Sequence, residues 1–327
     1  MRKIASITLA MTMTVTVMTG CGSKANQVVD HEGKLQVYTS FYPLYDFATK
    51  VGGDKVDVVN LVPTGVEPHD YEPSARNMAA LEEADVFIYN GVGMESWVDK
   101  VLSTLENEDL LVVEASQGVD FIEGHTHDHE EEHTHEEEHA HGEEHNHDEE
   151  HTDSVDPHVW TSIRNAKIEM ENIKDALVEA DPENKDYYEA NYNHYATQFD
   201  ALDKTFTDTL SQFENREIIV AHEAFGYLCH DYDLTQVGIE GMNADSEPDP
   251  ERMTEIIEFA KEHEIKVIFF EELVSPKVAE TIAKEIGAQT MVLNPVEGLT
   301  EEQIAAGEDY LSVMAQNLEA LKKALSR

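Results

Sequence analysis

The sequence predicts an α/β protein of two lobes, each a four-stranded, mainly parallel sheet with flanking helices. Short β-rich runs alternate with helical patterns in both halves of the chain, which is typical of βαβ units. A helical stretch at residues 182–213 separates the halves and would be about 48 Å long if continuous, a length that suits a connection between lobes. At 327 residues, 41% of them hydrophobic, the chain is long enough for about two domains.

Four strands are predicted in each half. Those of the first half lie at 35–39, 56–62, 85–90 and 110–114, and those of the second half at 217–221, 235–240, 265–270 and 289–294. Helical patterns lie at 74–84, 94–105, 161–180, 223–231, 250–264, 276–286 and 300–325. We therefore expect an N-terminal lobe over 35–181, a linking helix over 182–213 and a C-terminal lobe over 214–327.

The N-terminus has the pattern of an export signal. Arg2 and Lys3 precede an uncharged stretch and the small residues before Cys21 in "MTGCGS". We predict a signal peptide over 1–20, lipidation of Cys21 and a tether over 21–34, so that membrane lipid anchors the protein outside the cytoplasm. The alternative is an ordinary cleaved signal with an incidental cysteine. Cys229 would then be the one other cysteine, which leaves no internal disulfide.

The charge balance is strongly acidic. The chain has 22 basic and 68 acidic residues, for a formal net charge of -46. Such a surface disfavours nucleic acid as a partner and attracts cations.

A histidine-rich insertion lies at 125–151 and repeats the pattern His-x-His-x-Glu-Glu. It has no apolar residues to bury, so we expect it to be disordered and to capture metal at low affinity as an accessory. The alternative is a solvated acidic loop that binds nothing important. Its ten histidines are His125, His127, His129, His133, His135, His139, His141, His145, His147 and His151.

Four further residues lie in loops where a ligand of an α/β lobe is expected, most of them after predicted strands. They are His69, His158, His222 and Glu297. Singly, each histidine is more often a hydrogen-bonded structural residue and the glutamate a solvated one. Convergence of all four in one site would change that interpretation.

Enzyme signatures are not found. "HEAFGYLCH" begins as the helical zinc-protease signature does, but Gly226 occupies the position of its second histidine. We predict that the protein is not an enzyme. Two rival hypotheses remain: a zinc-dependent hydrolase that uses Glu297 or Glu223 as a base, and a surface adhesin or metal buffer that works through the histidine-rich run.

Long motifs carry a family resemblance. "SFYPLYDFATKVGGDKVDVVNLVPTGVEPHDYEPS", "ADVFIYNGVGMESWVDK", "DPHVWTS", "AHEAFGYL" and "VLNPVEGLT" resemble the metal-binding solute-binding lipoproteins of bacterial ABC importers, of the zinc-uptake (ZnuA/AdcA) type. The resemblance implies two α/β lobes joined by a long, rigid helix, with the metal held between them. It implies a monomeric extracytoplasmic receptor that delivers Zn²⁺ to an ABC permease.

The same resemblance implies a ligand set for the metal. His69 and His158 would come from the N-terminal lobe, and His222 and Glu297 from the C-terminal lobe. Three imidazoles and one carboxylate suit tetrahedral Zn²⁺. Manganese-selecting relatives carry a carboxylate where His222 stands, so zinc is favoured, while ligand type alone leaves nickel and copper open.

Overall fold

The computed structural model describes residues 33–123, 155–242 and 248–326. The predicted signal peptide, Cys21 and the histidine-rich segment lie outside the described residues.

The first sheet contains four parallel strands in the order β2-β1-β3-β4. Its strands are β1 Leu35–Thr39, β2 Val56–Asn60, β3 Val86–Tyr89 and β4 Leu111–Glu114. The second sheet repeats the architecture in the order β6-β5-β7-β8, again with every pair parallel. Its strands are β5 Glu217–Val220, β6 Thr235–Gly238, β7 Val267–Phe270 and β8 Gln289–Val292. The predicted fold class is therefore confirmed.

Ten α-helices occur in the described residues. The first half contains α1 Tyr42–Gly52, α2 Ala75–Leu81, α3 Val98–Leu102 and α4 Ile163–Ala180, and the second contains α6 Gly226–Tyr232, α7 Pro250–Glu262, α8 Lys277–Ile286, α9 Glu301–Ala306 and α10 Tyr310–Leu325. Helix α1 was not among the predicted helical stretches. Leu44, Phe47, Ala48 and Val51 bury one face of it at helical spacing, so the signal was present in the sequence.

Most predicted helical stretches have different bounds; the stretch 94–105, for example, is helical only over Val98–Leu102, and two others differ in kind. The stretch 182–213 begins with a 3-10 turn at Pro182–Asn184, and α5 then runs over Lys185–Leu210, 26 residues or about 39 Å. The stretch 300–325 is two helices, because Gly307 ends α9 in a left-handed conformation at φ 78° and Asp309 caps the start of α10.

Helix α5 joins the two lobes through a shared core. Phe199, in its middle, contacts Phe47 of the N-terminal lobe edge-on at 5.8 Å between ring centroids. It also stacks on Tyr310 of the C-terminal lobe at 5.4 Å, and Tyr310 in turn contacts Phe47 edge-on at 5.1 Å. The largest buried hydrophobic cluster accordingly contains residues of both sheets and of α5. The apolar contacts that position the lobes are thus continuous between them.

Each strand order has a switch point, between β1 and β3 in the first sheet and between β5 and β7 in the second. The connections on either side of such a point leave in opposite directions, so a crevice forms at the carboxyl ends of the strands. His222 follows β5 and Glu271 directly follows β7, which places both at the crevice of the second sheet.

Candidate metal centre

Four of the predicted site residues converge between the lobes. His69 lies in the loop after β2, and His158 directly precedes the 3-10 turn Val159–Thr161 that leads into α4. His222 and Glu297 lie in the loops after β5 and β8. One side-chain atom of each lies within 4.8 Å of the others, an arrangement that could hold a metal ion.

Four of the six distances between these atoms are close to the edges of a tetrahedral zinc shell, and all six are within 4.8 Å. Nε2 of His69 and Nε2 of His158 are 3.1 Å apart. Oε1 of Glu297 is 3.6 Å from Nε2 of His69, 3.4 Å from that of His158 and 3.3 Å from that of His222. Zinc bound at about 2.0–2.1 Å to four ligands has tetrahedral edges of about 3.3–3.4 Å. The pocket therefore fits an ion of this size and geometry.

The site is closed off from solvent. His158 and His222 are fully buried, Glu297 is 2% exposed, and the side chain of His69 is 7% exposed. Nε2 of His222 and Oε1 of Glu297 are buried without a hydrogen-bond partner among the described residues. Because an unsatisfied buried polar atom is costly, such atoms facing one point indicate a bound cation.

Two buried carboxylates orient His158 and His222 by pairing with the ring nitrogen that does not face the site. Oδ1 of Asp156 lies 2.8 Å from Nδ1 of His158 and accepts the His158 backbone N–H at 2.9 Å. Oε1 of Glu271 lies 2.6 Å from Nδ1 of His222. A carboxylate on Nδ1 keeps the proton on that nitrogen and leaves Nε2 free to bind a metal.

Proton affinity in the site is set by burial and by these carboxylates. Burial alone would lower the pKa of His158, but the hydrogen bond to Asp156 and the negative charges of Asp156 and Glu297 outweigh it and raise that pKa. The pKa of His222 is likewise raised well above its usual value, because Glu271 and Glu297 outweigh the effect of burial. Burial would raise the pKa of Glu297, but His222 and the other two histidines hold it well below its usual value.

A further carboxylate, Glu67, lies beside the site. Burial raises the pKa of Glu67 to about 8, and the charge of Glu297 adds to the shift. Its Oε1 accepts the backbone N–H of His69 at 3.3 Å, while its Oε2 is buried without a hydrogen bond within the described chain. Glu67 thus shapes the loop that carries His69, and its raised pKa keeps a proton on its carboxyl at neutral pH in the metal-free site.

Sequence reasoning missed Asp156, Glu271 and Glu67. The rule that selected residues after strands would have found Glu271, because it directly follows β7. Asp156 stands in the quoted motif "DPHVW", two residues before His158, and no pattern marked it as a partner of that histidine.

The hydrolase signature fails for a steric reason as well. A side chain at Gly226 would place its Cβ 2.3 Å from Oδ2 of Asp156, so a histidine could be accommodated there only if Asp156 moved. Four protein groups also converge on one point, whereas a catalytic zinc keeps one position open for water or substrate.

Two α/β lobes with three imidazoles and one carboxylate between them define a metal-binding solute receptor. The model of the family described as "Zinc-uptake complex component A periplasmic" matches residues 37–324. The chain belongs to this family, which comprises zinc-binding solute-binding proteins and not enzymes, and zinc is the ligand it binds.

Individual relatives with names that refer to zinc uptake or zinc binding are similar to most of this chain. The "High-affinity zinc uptake system protein ZnuA" of Bacillus subtilis is 43% identical over 311 residues, 94% of each chain. The "Zinc-binding lipoprotein AdcA" of Streptococcus pneumoniae is 41% identical over 298 residues, which are 89% of this chain but 56% of the relative. The crystal structure of the Zn(II)-bound ZnuA-like domain of that AdcA superimposes with a TM-score of 0.75 at 38% identity, covering 90% of this chain and 100% of the other.

Among residues 33–123, 155–242 and 248–326, none of the helices combines the length and the hydrophobicity that a membrane-spanning segment requires. The family description and the relatives' names indicate an extracytoplasmic location.

Proposed function

We propose that the protein is the receptor of a zinc importer, which captures Zn²⁺ with His69, His158, His222 and Glu297 and delivers it to an ABC permease. The observation that carries the proposal is the convergence of four ligand atoms within 4.8 Å of one another, with four of their six separations at 3.1–3.6 Å, close to the edges of a zinc tetrahedron. A family described as a component of a zinc-uptake complex supports the permease as the partner.

The ligands are divided between the lobes in a way that suits transport. His69 and His158 belong to the N-terminal half, and His222 and Glu297 to the C-terminal half. A buried four-ligand site would exchange zinc slowly while all ligands stay in place. Separating the two pairs leaves a two-ligand shell on each side, so docking on the permease would release the ion.

Imidazole ligands also set the preference among metals. A site with three nitrogen ligands is softer than an all-oxygen site and favours zinc over manganese. Copper and nickel also bind imidazole ligands, so their affinities should be measured together with that of zinc.

Anchoring and accessory capture complete the proposal. Cys21 would carry the lipid and residues 22–34 would form the tether, which the description of AdcA as a lipoprotein supports.

The ten histidines of 125–151 would collect zinc beside the site at low affinity. Glu123 and Val155, which flank this part of the chain, pair in an antiparallel bridge. The described residues on either side of the histidine-rich run therefore lie next to each other.

The ligand assignment is tested by calorimetric zinc titration of His222→Ala, with manganese and nickel as competitors. We expect the tight site to weaken by orders of magnitude. The matched control is His230→Ala, eight residues further along the chain, whose side chain is 73% exposed. Zinc affinity of His222→Ala equal to that of the parent would reject the assignment.

Delivery is tested separately in cells that lack the receptor but retain the permease. The parent protein should restore zinc accumulation, and His222→Ala should not. Cys21→Ser should lose lipid labelling and appear in the medium or periplasm while its zinc affinity stays unchanged. Restoration of uptake by His222→Ala would contradict a role of the site in transport.

A further inference from the structure

The loop that carries Glu297 has an unfavourable backbone conformation. Val296, directly before Glu297, has φ 64° and is fully buried. A β-branched residue rarely adopts positive φ, because its side chain then crowds the backbone. Such a conformation persists only where surrounding contacts determine it. The position of the Glu297 carboxylate therefore depends on whatever holds this loop.

Part of the loop is held from within the C-terminal lobe. The backbone N–H of Val296 donates to Oδ1 of Asn294 at 2.7 Å. Asn317, in α10, pairs with the backbone of Asn294 on both sides: its Oδ1 accepts the N–H at 2.9 Å and its Nδ2 donates to the carbonyl at 2.7 Å. These bonds fix the start of the loop and leave the carbonyl of Pro295 to another donor.

That donor is Trp160, from the segment that carries His158. Its indole Nε1 donates to the carbonyl of Pro295 at 2.7 Å, and its own carbonyl accepts the Tyr310 hydroxyl at 2.6 Å. Trp160 is fully buried and its ring lies 5.4 Å from that of His158. Trp160 therefore lies two residues after the ligand His158, and the carbonyl that it binds lies two residues before the ligand Glu297.

We propose that Trp160 is a positioning residue, which uses its indole N–H to set Glu297 against His158 across the two lobes. This inference rests on the proposed role of Glu297 as a ligand. Closure of the lobes and completion of the zinc shell are then coupled, because one of the bonds between the lobes also presents the fourth ligand.

The test is a double-mutant cycle between positions 160 and 297, read by zinc affinity. Trp160→Phe keeps an aromatic ring but removes the N–H, and we expect zinc to bind about 10- to 100-fold more weakly. In a Glu297→Ala background the same substitution should have little further effect. Co²⁺ bound to Trp160→Phe should also lose the strong visible absorption of a four-coordinate shell.

A second variant separates the hydrogen bond from packing. Incorporation of 3-benzothienylalanine at position 160 keeps the bicyclic shape and replaces N–H by sulfur, so it should weaken zinc binding as Trp160→Phe does. The same replacement at the chain's other tryptophan, Trp97, which lies in a separate cluster of the N-terminal lobe, should leave zinc affinity unchanged.

The outcomes are distinct. Equal losses in the parent and Glu297→Ala backgrounds would show that Trp160 acts on the protein as a whole, and an unchanged affinity would show that its N–H is not needed; either result overturns the inference. Unchanged zinc affinity in Glu297→Ala alone would instead refute the proposed ligand, and the inference would fail with it.

Discussion

Oε1 of Glu271 lies 2.6 Å from Nδ1 of His222, and both side chains are buried at the crevice of the second sheet. The two residues follow β5 and β7, the strands on either side of the switch point. The topology therefore places a metal-facing imidazole and the carboxylate that orients it next to each other, although 49 residues separate them.

This pair predicts that Glu271 controls zinc affinity without facing the metal itself. In Glu271→Gln the negative charge is lost, so Nε2 of His222 donates its electron pair to zinc less strongly and the imidazole ring is less firmly oriented. We expect zinc affinity to fall about 10- to 100-fold, measured by competition with a chromophoric chelator. The control is Glu217→Gln, at the remote, partly exposed pair in which Glu217 lies 3.6 Å from Nδ1 of His263. Equal affinities of Glu271→Gln and the parent would contradict the prediction.

Zinc binding should depend on pH over a range set by the raised pKa values of His158 and His222. A histidine whose pKa is raised stays protonated at pH values where an ordinary one is neutral, and zinc must displace that proton. Affinity should therefore fall as the pH decreases, and the decline should begin above the ordinary histidine pKa of about 6.5. Glu67, with a pKa of about 8, adds a further proton that a bound cation would expel.

Calorimetry in buffers of different ionisation enthalpy measures these protons directly. We expect net proton release on zinc binding near neutral pH, and less release at higher pH, where the histidines are already neutral. Binding that releases no protons at neutral pH would show that the site is already deprotonated.

Deleting residues 125–151 should leave one tight zinc site. The four converging ligands lie outside this segment, and the bridge between Glu123 and Val155 keeps the flanking residues together. Titration should show that the additional, weaker zinc equivalents are lost. If the tight site disappeared instead, the histidine-rich run would be the functional element, as the metal-buffer hypothesis holds.

A buried lysine that pairs with carboxylates of both lobes predicts a large effect on stability. Nζ of Lys50, in α1, lies 2.9 Å from Oδ2 of Asp309 at the start of α10, and it also pairs with the buried Asp46. Lys50→Met leaves Asp46 without its cation, so we expect the free energy of unfolding to fall by about 3–5 kcal/mol in urea. Lys204→Met removes an exposed lysine that pairs with Asp208 on α5, and it should change the free energy of unfolding by less than about 1 kcal/mol. Similar losses in the two variants would refute a special role for Lys50.

Patterns in the sequence were sufficient to predict the fold class and the four converging residues. Strand–helix alternation is a local signal, because βαβ units show it in the hydrophobic pattern of each segment, and all eight predicted strands are present. Residues after strands could be selected because ligands gather at that edge of parallel sheets, and the motif resemblance narrowed the set to His69, His158, His222 and Glu297.

The surroundings of those four residues depend on contacts between distant parts of the chain. Glu271 reaches His222 because β5 and β7 are neighbours, and Trp160 reaches the carbonyl of Pro295 because α5 and the shared core bring the lobes together. Such pairs join residues from 49 to 135 positions apart, and no local pattern encodes them. Residue types and spacing indicate which groups can bind a metal, whereas ligand distances, burial and proton affinity arise from contacts that exist only once the chain has folded.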